Sequence, residues 1–442
     1  MSRARDAFYA LTEHGARSLT GKQVLLANYA GEESDFVRLN RAKVRQAMTI
    51  RQGNLTLSLV EGGRRDSTTL SLSGELDVDR AQVTASVRSM QDGLAALPED
   101  PFLLYSTEPS RSDRVDPGTL PSPDVALSTV LGGGEGTDLV GIYASGPIQR
   151  GFASSLGHRH FHEVSSFQLD WSLYQSTDKA VSNSYATSRF DVAELRARMA
   201  AARAQLEHLA RPAKTVEPGN YRTYLSPAAL SELVLLFNWG GVSAKAQRTK
   251  TSALQRLADG EARFSPRFTL RERTAEGLAP AFDEVGFEKP PSVDLVALGR
   301  HAGALVSPRT AREYGIVANA GAEETLASAD VEPGALPESD VLAALDTGIY
   351  VSNLWYLNFS DRANGRVTGM TRFATFWVEH GRIVAPLNVM RFDDSLYRLL
   401  GSELRDFTRE RSVIQSTSTY GQRSVETLTL PGALIDSVSF TL

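Results

Sequence analysis

The spacing of apolar positions changes several times along the chain, and each change marks an expected element. A helix is expected over residues 7–19, with Phe8, Leu11 and Leu19 near one face, and a strand over 23–28. Residues 36–39, 44–50, 55–60 and 68–72 then alternate apolar and polar side chains. Turn-forming runs divide them, at Tyr29-Ala-Gly-Glu-Glu33, at Gln52-Gly53-Asn54 and at Glu61-Gly62-Gly63. Period two broken by turns predicts an antiparallel meander. From Asp77 the period lengthens, and Val83, Val87, Met90, Leu94 and Leu97 fall on one helical stripe. Pro98 stops that helix. Pro101, Pro109, Pro117, Pro121 and Pro123 follow, as in an irregular surface connection.

Residues 139–143 and 161–173 read as strands again. An amphipathic helix over 191–209 carries Leu195, Met199, Leu206 and Leu209 as its stripe, and Arg211-Pro212 ends it. The domain boundary is expected there, giving domains 1–212 and 213–442. A strand over 220–225 leads into Ser226-Pro227, an N-cap followed by Pro at the first helical position. The helix it opens, to about Asn238, holds the most apolar run, Leu233-Val-Leu-Leu-Phe237. Phe237 and Trp239 are expected to be packing residues. Beyond Gly260 strands and Gly/Pro-rich loops are expected, with one short helix near 340–346. The pattern is that of a two-domain α+β protein whose N-terminal half is a helix-flanked mixed sheet.

Composition narrows the chemistry. The 442 residues include no Cys, which excludes disulfides, thiolate metal ligands and a cysteine nucleophile. A net charge of −5 offers no basic field for nucleic acid or an anionic membrane. Seven Lys against forty Arg suggests a GC-rich coding sequence. Residues 1–19 lack the apolar centre of a secretory signal, and no apolar run reaches the roughly 20 residues of a membrane span, so a cytoplasmic location is expected.

Four constellations carry candidate chemistry. His158, His160 and His162 share one face of a strand. The outer two are roughly 13 Å apart if extended, so at most two of them reach one metal ion. The plainer reading is a polar, solvent-facing strand side. The run Leu131-Gly-Gly-Gly-Glu-Gly-Thr137 lacks the Lys of a phosphate loop and reads as a turn between helix and strand. The apolar helix ending at Trp239-Gly-Gly241 offers only Glu232 as a possible ligand. The polar stretch from Asp361 to Phe373 holds Arg362, Asn364, Arg366 and Arg372, suited to receiving a peptide or an acidic group, or else to a solvated hairpin loop.

Five segments in order resemble the TldD/PmbA family. They are Asp35-Phe-Val-Arg-Leu-Asn-Arg-Ala-Lys-Val-Arg-Gln46, Ala153-Ser-Ser-Leu-Gly157, Pro280-Ala-Phe-Asp-Glu-Val-Gly286, Leu345-Asp-Thr-Gly-Ile-Tyr-Val-Ser-Asn-Leu354 and Phe376-Trp-Val-Glu-His-Gly-Arg-Ile-Val-Ala-Pro386. The resemblance implies that the C-terminal half is a largely antiparallel, barrel-like sheet with a central helix. It also implies two kinds of subunit. The TldD kind carries a His-Glu-x-x-x-His helix and a later Cys that hold zinc. The TldE (PmbA) kind lacks them and pairs with the first as a heterodimeric metalloprotease. By spacing, the ligand helix corresponds here to Leu235-Leu-Phe-Asn-Trp-Gly-Gly241, which has no His or carboxylate. The chain therefore resembles the TldE kind. No catalytic residue or cofactor is expected in it, zinc belongs to a TldD-like partner, and the substrate is a peptide or unfolded segment in bacterial proteolysis or peptide maturation. Arg362, Asn364, Arg366 and Arg372 are the candidate substrate-binding residues. A stand-alone peptide-binding or assembly protein is the alternative, and a hydrolase with a new metal site at His158, His160 and His162 a further one. The family's T-G-D-[FY]-S-R-G loop is replaced here by Val367-Thr-Gly-Met-Thr-Arg-Phe373.

Overall fold

The computed structural model describes residues 3–176, 179–416 and 418–441. Met1, Ser2 and Leu442, at the outer ends of the two expected domains, lie outside them. The architecture is α+β, with two sheets among the described residues. The first contains β1 (Val24–Asn40), β2 (Lys43–Glu61), β3 (Arg64–Ser71), β4 (Arg111–Asp116), β5 (Asp138–Ser154), β6 (Arg159–Ser176) and β7 (Lys179–Thr187). Its order is β3-β2-β1-β5-β6-β4, with β7 also paired to β6. The β4–β6 pair is parallel and the others antiparallel, so the sheet is mixed. No helix among the described residues is long and apolar enough to cross a membrane.

Residue parity organises this sheet. Odd positions of β1, β5 and β6 (Leu25, Tyr143, Phe167, Trp171) point toward four helices: α1 (Arg3–Ala16), α2 (Leu76–Leu94), α3 (Pro123–Gly133) and α4 (Val192–Leu209). Of the stripes expected for α2 and α4, Val83, Val87, Met90 and Leu94 and Leu195, Met199, Leu206 and Leu209 are buried, while Leu97 lies beyond the end of α2 and is half-buried. Even positions face the second half of the chain. There Val24, Leu26 and Phe152 receive Phe282 and Val285, and Ile148 and Val164 receive Leu278.

Two expected turns are absent. Residues 29–33 and 52–54 lie inside the unbroken strands β1 and β2, with Gly31 opposite Gly53. A Cβ on Gly31 would stand 2.3 Å from the Tyr29 hydroxyl, and one on Gly53 would stand 3.0 Å from the same ring. These glycines make room for an aromatic ring lying across the ladder and do not reverse the chain. The Pro-rich connection also contains more structure than expected. The sequence of β4, Arg-Ser-Asp-Arg-Val-Asp, has no apolar alternation and is held by its backbone ladder to β6. Ser122 caps α3, with Pro123 in its first turn.

The second sheet contains β8 (Gly219–Leu225), β9 (Leu270–Glu272), β10 (Val293–Ala297), β11 (Arg300–His301), β12 (Ser328–Val331), β13 (Gly348–Asp361), β14 (Arg366–Glu379), β15 (Arg382–Pro386), β16 (Arg391–Ser395), β17 (Leu404–Gln415) and β18 (Thr427–Phe440). Strand β18 pairs with β16 and also with β8, so β18-β16-β14-β13-β8 closes into a ring. The barrel-like character is this closure. Helix α5 (Pro227–Leu235) packs against β8, β13, β17 and β18, its N-terminus capped by Ser226, whose Oγ accepts from Ala229 N. It continues as a 3-10 turn, Leu236–Asn238. Short helices at Ala244–Arg248, Gln255–Ala258 and Pro308–Tyr314 lack the length for a visible stripe, and the one expected near 340–346 is Val341–Leu345.

Leu230, Leu233, Val234 and Phe237 are fully buried in one large core. Phe237 lies 6.2 Å from the Phe264 ring and 6.3 Å from the Phe268 ring. Trp239 is different, being 46% exposed, because the 3-10 turn has carried it past the end of the enclosed helix. Replacing Phe237 with Ala is expected to cost about 3–5 kcal/mol. Urea denaturation checks this, and Trp239→Ala should move the midpoint far less.

Candidate functional site

The β13–β14 hairpin stands beside the exit of α5. Trp239 meets Phe359 edge-on at 6.0 Å, and the Arg362 guanidinium lies 5.7 Å from the Phe359 ring. Gly240 has φ +85°, and a Cβ there would stand 3.3 Å from Arg362 Nη2. The helix exit and the hairpin tip therefore form one surface, reached by a backbone turn that suits glycine.

Each candidate residue on the hairpin has a definite place. Asn364 closes the turn, donating from Nδ2 to Asp361 Oδ2 (2.7 Å) and from its backbone N to Asp361 Oδ1 (3.2 Å). Arg366 is ion-paired with Asp393 of β16. Arg372 places its guanidinium 4.0 Å from the centre of the Trp355 ring and 4.7 Å from that of Phe373. Arg362 and Arg372 thus rest on aromatic faces, with no carboxylate at ion-pair distance among the described residues.

The hairpin ladder is irregular, with register shifts at 351–353, 355–358 and 359–361. Tyr356 and Phe373 both adopt φ +59°, which strains a residue with a Cβ. Trp355 and Tyr356 are 47% and 73% exposed. On its other side β13 pairs with β8 only over Ile349–Val351. Among the described residues no strand covers that edge from 352 to 361.

Residues 235–241 do not fit a metal. Their only polar side chain, Asn238, accepts from Leu326 N at 2.8 Å. No grouping of three or more His, Asp or Glu side chains with metal-holding geometry occurs among the described residues. The zinc that the family resemblance assigns to TldD-like chains has no donor set at this position.

The three histidines lie elsewhere, His158 just before β6 and His160 and His162 on its even face, and are not solvent-facing: their exposures are 1%, 0% and 2%. A segment of the second half, residues 277–288, docks on that face, and the ring nitrogens are satisfied partly by its backbone and mostly by nearby serine hydroxyls. His162 Nε2 is bonded to Leu278 O (2.8 Å), while His160 stacks on Phe282 at 5.1 Å. Ser110 and Ser112 take both nitrogens of His160 (2.9 and 2.8 Å), and Ser154 and Ser106 take those of His158 (2.7 and 3.0 Å). Five of the six ring nitrogens are bonded within the protein, which leaves little for a shared ion.

Residues 218–441 match the family model described as the PmbA/TldA metallopeptidase C-terminal domain. The chain belongs to this family. Three solved structures are similar over the full length. TldE from Thermococcus kodakarensis superposes with a TM-score of 0.79 at 15% identity, covering 99% of this chain and 100% of the other. A chain from Bacteroides thetaiotaomicron, proposed as a modulator of DNA gyrase, gives 0.76 at 15% identity, covering 100% and 99%. Another from Thermotoga maritima, likewise proposed as a modulator of a DNA gyrase, gives 0.72 at 13%, covering 99% of each. At these identities the likeness shows a shared, TldE-like fold. No curated protein matches the chain.

Burial penalises the imidazolium, so all three histidines titrate below their usual value. His162 is held at about 4, by burial first and then by Arg114, Arg150 and Lys289, against the opposing bond to Leu278. The unfolded chain takes up protons near pH 6.5 that the folded chain refuses, so stability falls as pH drops from 6.5 toward 4. His162 alone should remove about 2 kcal/mol between pH 6.5 and 5. Urea midpoints across that range check this, with His162→Gln expected to flatten the loss; equal slopes would place it in other groups.

Proposed function

We propose that this chain is the non-metal subunit of a TldD/TldE-like heterodimeric zinc metallopeptidase acting on peptides or unfolded segments in the cytoplasm. The observation that carries the reading is the apolar stretch 235–241 in a family of metallopeptidases. The family assignment supplies the class, and a helix with Phe237 buried and Asn238 tied to Leu326 leaves water activation to another chain.

In this reading the partner supplies zinc as a Lewis acid, and this chain closes the chamber and holds substrate. A peptidase of unfolded segments must bind backbone without demanding one sequence, and an added strand on a sheet edge does so. The edge of β13 beyond Ser352, whose carbonyl already accepts from Ser226 Oγ, meets that need, with the exposed rings of Trp355 and Tyr356 beside it. The same edge supports the second reading, a stand-alone peptide-binding protein without catalysis.

Co-expression with a family member carrying His-Glu-x-x-x-His and the later Cys separates the two. The proposal expects an equimolar complex with about one zinc, and no stoichiometric metal on this chain alone. Two chains eluting separately favour the stand-alone reading. About one zinc bound by this chain alone would overturn both. Within the complex, replacing Arg366 and Arg372 together with Ala should lower peptide cleavage at least several-fold while pairing persists, as measured by turnover of an unfolded peptide.

A further inference from the structure

The outer face of the hairpin carries a charge arrangement that backbone binding does not require. Met370 lies opposite both Trp355 of β13 and Arg391 of β16, so these three side chains form one cross-strand row. Arg372 is two residues along β14 from Met370 and shares that face. It reaches across to the Trp355 ring, which brings its guanidinium toward the uncovered edge of β13. Arg391 donates through Nε to Thr368 Oγ1 at 3.2 Å. On this face Arg366 has taken Asp393, whereas neither Arg372 nor Arg391 has a carboxylate at ion-pair distance among the described residues. In a chain of net charge −5, two unmatched arginines beside an exposed Trp make a local positive patch.

We propose that this face selects extended peptides with an acidic side chain, the carboxylate being received by Arg372 over the Trp355 ring, with Arg391 one strand behind adding to the field. The proposal rests on the reading of β13 as a peptide-binding edge and adds the substrate class. A guanidinium pinned on an aromatic face is already oriented, so less side-chain freedom is lost when it forks onto a carboxylate. Trp355 supplies an apolar wall for the methylenes of that residue. Acidic unfolded segments would be held in register by this contact, and neutral ones by backbone bonds alone.

The test is fluorescence anisotropy on the purified chain alone, with a short rhodamine-labelled Gly/Ser peptide carrying central Glu residues and its Gln counterpart. The Glu peptide is expected to bind about tenfold tighter at low salt, with the difference shrinking as salt rises. Arg372→Gln is expected to make the two peptides bind alike, the Glu-peptide affinity falling to that of the Gln peptide. If that variant does not fold, Arg391→Gln, whose side chain reaches only Thr368, should narrow the difference part-way. Equal binding of Glu and Gln peptides by the native chain, or a preference that survives Arg372→Gln, would overturn the inference. Assay of the paired complex separates the two levels. Cleavage of both peptides at equal rates would sink the acidic preference and leave the subunit reading standing. A Glu preference on a chain that pairs with no metal-bearing relative would do the reverse.

Discussion

Closure of the second sheet is the constraint on which the rest depends. Strand β18 bonds to β16 on one course and to β8 on the other, so the ring has nowhere to put α5 except among its own apolar side chains. The face of a helix in that place must be apolar, as Leu230, Leu233, Val234 and Phe237 are, while Leu235, off that stripe, is exposed. The same enclosure decides where the chain emerges. Trp239 and Gly240 come out beside the hairpin tip, against Phe359 and Arg362, and this brings the α5 exit and the β13 edge onto one surface. In the metal-bearing subunits that the resemblance implies, such a position holds ligands; here it holds packing.

The two halves are joined by polar contacts as much as by apolar ones. Residues 277–288 dock on the histidine face of β6, and the loop between β17 and β18 docks nearby through Arg423. The Arg423 guanidinium is buried against Ser166 O (2.9 Å), Ser166 Oγ (2.6 Å) and Gly146 O (3.1 Å), and burial lowers its pKa to about 10, so it stays charged at neutral pH. Its backbone N donates to the Glu32 carboxylate at 3.2 Å, which gives that buried charge a partner from the same loop. A buried cation that loses its partners is costly, so this loop is held in one position. The β18 strand that follows it then begins at a defined place, which in turn supports ring closure.

Much of this was legible in the residues, wherever one face of one element decided the outcome. The stripes of α2 and α4, the Ser226-Pro227 cap and the α+β division follow from local periodicity, and the structure keeps them. Misreadings arose where a residue answers to something distant. Gly31 and Gly53 look like turn formers, yet their task is to clear the Tyr29 ring. His158, His160 and His162 alternate like a solvated strand side because their partners lie elsewhere in the chain, serine hydroxyls for His158 and His160 and, 116 residues on, Leu278 O for His162. Trp239 looks like core until the 3-10 turn is seen to carry it out. At the candidate site the stretch rich in Arg and Gly was recognisable as a hairpin. That Arg366 is matched by Asp393 while Arg372 is unmatched depends on cross-strand register, which no local spacing encodes.

The central claim is that this chain holds an extended peptide as an added strand on the uncovered edge of β13. Amide hydrogen exchange of the purified chain, with and without a saturating unfolded peptide, tests it most directly. The account predicts new protection at outward-facing amides of residues 353–361, with β2 and β3 of the first sheet unchanged. Protection that appears elsewhere, or none on the β13 edge while peptide is bound, would contradict it.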